Sequence, residues 1–262
     1  MAKSSRGQSG LSRAVRVLEA FDSSRSELTL TQVAARTSMA PSTVHGIVAE
    51  LLGLGLLERR GRELILGVKL WELAVRAPGV FGLRETALPY LEKLRDKLLQ
   101  HAQLGILQGA EVLYLERLSS PESAVNFTTV GGRMPWYATS SGLVLVAGQS
   151  PEEEDRILGL PRPRYAAEPA QSAATLRARL AKVRVEGHAV TNGFIHPDST
   201  AIAVPVRGPY GRTVAALAVV VPADGFHLEP VMAVLAPAAR TVGLQLMKSL
   251  TGQMGSLAGE YR

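Results

Sequence analysis

Residues 28–66, LTLTQVAARTSMAPSTVHGIVAELLGLGLLERRGRELIL, constrain this chain more than any other stretch. Thr29 with Gln32 three residues later fits a capping box, so a short helix should run from Leu30 to about Arg36. Ser38, Met39 and Ala40 leave room only for a tight turn. Pro41 then takes the first position of the next helix, where its missing N–H costs nothing. That helix should reach about Leu52, with Val44, Ile47, Val48 and Leu51 facing inward and Ser42, Thr43 and His45 outward. Ahead of it, residues 11–22 put Leu11, Ala14, Val15, Leu18 and Phe21 on one face of a first helix. Leu56–Arg59 and Glu63–Leu66 can pair around Gly61 as two short strands. Helix, tight turn, helix is a helix-turn-helix when the second helix is small and polar at its N-terminal end and apolar behind. The hairpin after it carries Arg59, Arg60 and Arg62 at its tip, as a wing lying along a phosphate backbone would. Double-stranded DNA is therefore the expected partner.

Composition sets the outer bounds. The 262 residues suffice for two domains, and 46% hydrophobic with 20% charged residues suits a soluble protein with a full core. No apolar run approaches the roughly 18 residues that span a bilayer, so no membrane association is expected. The start, MAKSSRGQSGLSR, reads as a flexible basic arm rather than a signal peptide. Without cysteine there is no disulfide and no thiolate metal site, and the cytoplasm is the natural compartment. Lys and Arg number 29 against 23 Asp and Glu. Up to Ala77 the counts are 11 and 7, a net +4, against 18 and 16, a net +2, beyond it. The basic excess is denser where phosphates are expected.

Beyond the hairpin the pattern changes. Residues 67–77 read as a short linker helix. LRETALPYLEKLRDKLLQHA (83–102) reads as a long helix burying Leu88, Leu91, Leu94 and Leu98, bent or restarted at Pro89. Strands are expected at 103–108, 111–118, 124–130, 188–195, 201–207 and 213–222. Helices are expected at 139–148, 152–158, 173–186 and 228–250. Strands with flanking helices make an α+β domain. In it, MPWYATSSG sets Trp136, Tyr137 and a cluster of hydroxyls where a loop enters a helix, a place suited to a small carboxylate.

Catalytic signals are thin. His188, His196 and Asp198 suggest a metal cluster by composition, but HPD sits in a loop and no further ligand has the right spacing. Ser140-Ser141-Gly142 lacks a G-x-S-x-G elbow. The acidic run Glu152–Asp155 stands at a helix start, where carboxylates favour the positive dipole end. No enzyme, metal or cofactor is expected.

RAVRVLEAF, LTLTQVAARTSMAPSTVHGIVAELLGLGLLER and LILGVKLWELA resemble the winged-helix domain of the IclR family of bacterial transcriptional regulators. VGGRMPWYATSSGLVLVA, TLRARLAKVRVEGHAV and AIAVPVRGPYGRTVAALAVVVP resemble its C-terminal domain, in the same order and spacing, from Leu11 to Leu246 overall. The resemblance implies an N-terminal winged helix-turn-helix domain, a linker helix and a GAF/PAS-like mixed α/β effector-binding domain. The expected boundaries are 1–10 for the arm, 11–66, 67–78, 79–250, and 251–262 for a flexible tail. It implies a small-molecule effector, with pocket positions at Met134, Ser140, Ser141, Thr191, Ser199, Ala201, Ala218 and Val220; Trp136, Tyr137 and Asn192 are placed with them. Arg13, Thr31 and Pro41 join Ser42, Thr43, His45 and the three wing arginines on the DNA side. A homodimer or tetramer is implied as well. Ala218 and Val220 give the pocket an apolar wall, which favours an aromatic or alkyl-bearing acid. Two departures stand out: Gly46, where many members carry Arg, and Gly193-Phe194, where members often carry acidic residues. The alternatives are an enzyme domain with a DNA-binding appendage, and a nonspecific nucleoid protein that would leave two thirds of the chain without a role.

Overall fold

Residues 1–81 and 82–262 form two compact units in the computed structural model, which describes residues 9–22, 25–76, 79–162 and 171–259, the side chains of 250–259 excepted. Most of the basic arm (1–8), positions 77 and 78 of the linker, and the last three residues of the expected tail lie outside the described residues.

The first unit is built around its caps. Ser9 caps α1 (Gly10–Leu18) through the N–H of Ser12. After the two-residue strand β1 (Leu28–Thr29), Thr29 caps α2 (Leu30–Thr37). Its hydroxyl accepts from Gln32 N at 3.4 Å, while Gln32 Oε1 accepts from Thr29 N at 2.7 Å. Ser38, left-handed at φ 53°, ends that helix, and Pro41 opens α3 (Pro41–Gly53). Strands β2 (Leu57–Arg60) and β3 (Glu63–Leu66) turn at Gly61, whose φ of 63° a residue with a side chain rarely adopts. With β1 they form an antiparallel sheet ordered β1-β3-β2, and α4 (Val68–Ala74) follows. Val17, Phe21, Leu28, Val33, Val44, Val48, Leu51, Leu57 and Leu64 make one core.

Two expectations need correcting here. Helix α1 ends four residues early, and its buried stripe is Ala14, Val17 and Leu18 with Ala20 and Phe21 beyond it; Leu11 is 76% exposed and Val15 is exposed. A one-residue rotation of a short helix moves the stripe by about 100°, and the choice is made by the surface it meets. Strand β1 is too short to leave a periodic signal.

The second unit holds a six-stranded sheet, antiparallel at every pairing, ordered β6-β5-β4-β9-β8-β7. Helix α5 (Val80–Leu98) continues through Pro89 and buries Leu83, Ala87, Leu91 and Leu94. Leu99, at φ 54°, then turns the chain into β4 (His101–Gln108), so His101 and Ala102 belong to a strand and not to the long helix expected. Next come β5 (Glu111–Leu118), β6 (Arg133–Pro135), a single 3₁₀ turn at Trp136–Ala138, α6 (Ser140–Ala147), α7 (Pro151–Leu158) and α8 (Ala173–Glu186). The chain closes with β7 (Ala189–Asn192), β8 (Ser199–Arg207), β9 (Thr213–Pro222) and α9 (Leu228–Gly259).

Alternation along the strands separates two cores. Leu104, Ile106, Val204, Val206, Leu217 and Val219 pack with α5 and α9 on one face. Val112, Tyr114, Ala203, Ala216 and Ala218 pack with α6, α7 and α8 on the other. The three alanines let α6 lie close against the sheet. Helix α9 also corrects the reading of the apolar runs: Leu228–Ser249 has the length and mean hydropathy, 1.3, of a membrane span. Its Val231, Leu235, Ala239 and Val242 are buried in the first of these cores.

Two glycines should respond oppositely to alanine. A Cβ on Gly46, mid-α3, meets nothing within 4 Å, so Gly46→Ala should stabilise the first unit by about 0.5–1 kcal/mol through helix propensity. A Cβ on Gly142 would lie 2.1 Å from the Trp136 carbonyl oxygen, so Gly142→Ala should destabilise the second unit by about 1–3 kcal/mol. Urea unfolding of each variant checks both signs.

Candidate functional site

The exposed face of α3 is one candidate site. Pro41, Ser42, His45 and Gly46 are exposed and Thr43 is half-buried, while Val44, Val48 and Leu51 tie the opposite face to α1 and α2. Thr31 is exposed at the start of α2. Arg13 is half-buried on α1, and its Nε is enclosed with no hydrogen-bond partner among the described residues. On the wing, Arg59, Arg60 and Arg62 are all exposed, and Arg60 Nη1 pairs with Glu27 at 2.8 Å. Glu27 also hydrogen-bonds and repels Glu63, which holds the Glu63 carboxyl above its ordinary range. The sequence placed all three arginines alike; the structure gives one of them an internal carboxylate.

The second candidate is a cleft of about 460 Å³, its open mouth included, between the α6 side of the sheet and two loops. It brings together Met134 from β6, Ser140 and Ser141 from α6, Thr191 from β7, Ser199 and Ala201 from β8 and Val220 from β9. Four residues placed there from the sequence lie elsewhere. Trp136 is fully buried in the α6 core, edge-on to Tyr137 with ring centroids 6.0 Å apart, and Tyr137 packs against the same core. Ala218 is a core residue beneath α6, and Asn192 is exposed, its Oδ1 accepting from the Thr200 hydroxyl at 3.2 Å. Asn192 is turned away by the alternation of side chains beside Thr191. Ala218 shares the face of Val220 but is covered by α6, and the 3₁₀ turn carries Trp136 and Tyr137 into the core.

The residues that sequence reasoning missed come mostly from the two loops. The expected strand at 124–130 is a strap of irregular chain whose main-chain groups are claimed by side chains instead of a neighbouring strand. His101 Nε2 donates to Ala124 O at 2.6 Å, and Gln100 Oε1 accepts from Ala124 N at 2.9 Å. Ser199 Oγ donates to Val125 O at 2.6 Å, and Arg117 Nη1 donates to the carbonyls of Asn126 and Thr128. Asn126, Phe127 and Thr128 thereby line the cavity, with Gln103 behind them. Phe194, Ile195 and His196 line it from the β7–β8 loop. The Phe127 and His196 rings lie 5.8 Å apart, and Arg179 stands 4.7 Å over the Phe194 ring. Buried Gln103 and His101 inside the apolar run HAQLGIL were the available signal, since a polar side chain in such a strand needs a partner.

The cavity wall is mostly apolar, and its polar groups are hydroxyls, amides and the His196 imidazole. Among the described residues no Lys, Arg, Asp or Glu lines it. Ser140 and Ser141 are each 1% exposed, and Thr139 uses its hydroxyl to accept from Gly142 N at 2.9 Å. The N–H groups of Ser140 and Ser141 stand in the first turn of α6, where no helical partner exists.

The other candidates have structural partners. Glu152 is held below the ordinary carboxylate range by its own backbone N–H and the Ser150 hydroxyl. Glu153 pairs with Arg156, Glu154 with Arg184 and Asp155 with Arg177, so the acidic run caps and braces α7. His196 and Asp198 are 3.9 Å apart, and His188 contacts Glu186, so the three positions do not converge. Among the described residues no group of three or more His, Asp or Glu could hold a metal.

The IclR helix-turn-helix domain matches residues 10–61, and the bacterial transcriptional regulator IclR C-terminal domain matches residues 77–246. The chain is 38% identical to an IclR homolog from Microbacterium hydrocarbonoxydans crystallised with 4-hydroxybenzoate. The TM-score is 0.83, with 91% of this chain and 99% of that one covered. It is 32% identical to the HTH-type transcriptional regulator BhcR of Paracoccus denitrificans, covering 83% of this chain and 79% of the relative. It is 29% identical to the Pca regulon regulatory protein of Pseudomonas putida, covering 79% and 72%.

The strap should loosen in acid. Burial holds the His101 ring below its ordinary value of 6.5, with the Arg117 charge adding to this and the Ala124 carbonyl opposing it. A base whose folded value is lowered contributes stability that is present above the unfolded value and lost as pH falls below it. Between pH 7.5 and 5.5 the wild type should therefore lose more stability than His101→Asn, by urea unfolding. Equal slopes would remove His101 from the account.

Proposed function

The chain belongs to the IclR family of bacterial transcriptional regulators, and from that premise we propose that its ligand is an aromatic monocarboxylic acid that shifts DNA affinity. As a family member it is a DNA-binding regulator with a C-terminal ligand-binding domain, and not an enzyme. The observation that carries the proposal is the uncharged cavity ending on α6. One carboxylate is matched there by the Ser140 and Ser141 hydroxyls, by first-turn N–H groups and by the positive end of the helix dipole. Met134 and Val220 offer an apolar slot for the body of the acid. The relative crystallised with 4-hydroxybenzoate, itself an aromatic monocarboxylate, supports the same class. Binding would favour one of two conformations and so move the recognition helices. A cytoplasmic location, where the DNA is, belongs to the same reading.

We assign base contacts to Ser42, Thr43 and His45, and phosphate contacts to the wing, Arg13 and Thr31. Gly46 leaves the middle of the exposed α3 face without a side chain, so the operator differs from those read by relatives with Arg there. A homo-oligomer is part of the reading. Helix α4 has no buried residue, and Val68, Trp71 and Val75, at helical spacing, are all exposed. Such a face suits a twofold partner, and helix-turn-helix dimers meet half-sites about 34 Å apart.

Titration calorimetry with aromatic and aliphatic monocarboxylates should find a saturable aromatic ligand. Ser140→Ala or Thr191→Ala should weaken it about fivefold each, the loss of one hydrogen bond worth about 1 kcal/mol. The same acid should change affinity for DNA selected from a random pool by the factor that DNA changes the acid's affinity. An acid that alters DNA binding while tolerating both substitutions would put the pocket elsewhere.

On the DNA side, Arg59→Ala and Arg62→Ala should weaken all sequences alike and each lower the salt slope by about one unit. Thr43→Ala should instead lower the ratio of specific to nonspecific binding. Light scattering should show at least a dimer in free solution; a strict monomer protecting one half-site would remove the oligomer.

A further inference from the structure

We propose that the effector's carboxylate enters together with a proton, which comes from solvent and settles on the His196 imidazole of the cavity wall; this rests on the aromatic-acid reading above. The wall offers an anion hydroxyls and N–H groups but, among the described residues, no Lys or Arg. A carboxylate taken out of water is costly unless a charge of opposite sign accompanies it. Two side chains on the wall can ionise, Tyr114 and His196. A phenol can only lose its proton and so adds nothing positive. An imidazole is the side chain whose ordinary change of charge falls between pH 5 and 8. His196 is therefore the residue of this wall that can balance the acid.

Its surroundings suit that exchange. His196 Nδ1 accepts from the Asp198 N–H at 3.3 Å, so the neutral ring carries its hydrogen on Nε2. The second proton goes to Nδ1, and the Asp198 carboxylate, 3.9 Å away, stands ready to accept from it. That carboxylate is 83% exposed and screened by water, which leaves the imidazolium free to act on the cavity. The strap presents the uncharged Phe127 ring, with centroids 5.8 Å apart. From α8, Arg179 lies over the Phe194 ring of the same loop, a cation that disfavours a second one until an anion enters. Behind the strap, Arg117 keeps its charge, and His101 is held below its ordinary value. Closing the strap on a ligand can only expel a proton from His101, the opposite sign.

Calorimetry on the full chain with benzoate, its three hydroxy isomers and phenylacetate, in two buffers of different ionisation enthalpy, counts the protons. Between pH 7 and 8.5 the carboxyl groups are ionised and His101 is neutral, so neither supplies uptake. The tightest acid should take up a fraction of a proton. An average of about half a proton means about fivefold weaker binding at pH 8.5 than at pH 7. In His196→Gln the uptake should vanish and the affinity should no longer depend on pH. Binding without uptake in the wild type overturns the proposal and leaves the aromatic-acid reading intact. Equal uptake in His196→Gln does the same, because the proton then sits on the acid itself or on another group. If His196→Gln does not fold, NMR of the five imidazoles of the wild type decides. One ring must titrate at higher pH with the acid bound, and none doing so overturns the proposal. Should none of these acids bind, both readings fall.

Discussion

A helix whose every residue is buried must hide its ends as well as its sides, and α6 is such a helix. It reaches the sheet because Ala203, Ala216 and Ala218 are small beneath it, and because Gly142 brings it against the Trp136 carbonyl. Its polar start then has nowhere to go but the interior. Thr139 takes the N–H of Gly142 with its hydroxyl and that of Leu143 with its carbonyl. The donors of Ser140 and Ser141 remain, and the cavity lies where they are. The cavity proposed as the binding site is thus a consequence of sinking a helix N-terminus into a protein. A buried end carries the unpaired donors and positive dipole that make it an anion site.

The strap over the cavity follows from the same accounting. Buried His101 and Gln103, with half-buried Arg117 beside them, need partners, and residues 124–128 supply carbonyls and the Thr128 hydroxyl to them. A loop is ordinarily excluded from a wall because its backbone would be left unpaired. Here the sheet beneath it is polar enough to pair it.

The caps and the strand cores could be read from the sequence, because they depend on neighbours a few residues apart. Thr29 with Gln32, Pro41 and the Ala173–Glu186 helix are such cases. The expected span 213–222 is β9 itself, since a strand covered on both faces needs a near-continuous apolar run. What failed depended on partners far away in the chain. VNFTTV alternates as a strand does, yet its backbone is taken by side chains from β5 and β8, and its Thr128 hydroxyl by Gln103 of β4. Seven of the residues assigned to the pocket converge on the cavity, while Trp136, Tyr137 and Ala218 are taken into the core beneath α6 and Asn192 faces out, placements that depend on which distant element covers each position. Asn126 left no signal of its own.

The pairing of Arg60 with Glu27 changes what kind of contact the wing can make. A free arginine that meets a phosphate contributes chiefly because ions condensed on the DNA escape into dilute solution, a gain that shrinks as salt is added. Arg60 arrives with an anion already attached, and that anion is a covalent part of the protein. Exchanging it for phosphate leaves a displaced carboxylate beside the nucleic acid instead of a departing ion. On the proposed reading the hairpin would therefore be a graded electrostatic surface: Arg59 and Arg62, without an ion-pair partner among the described residues, would hold phosphate, and Arg60 would set how closely the wing can approach before Glu27 resists.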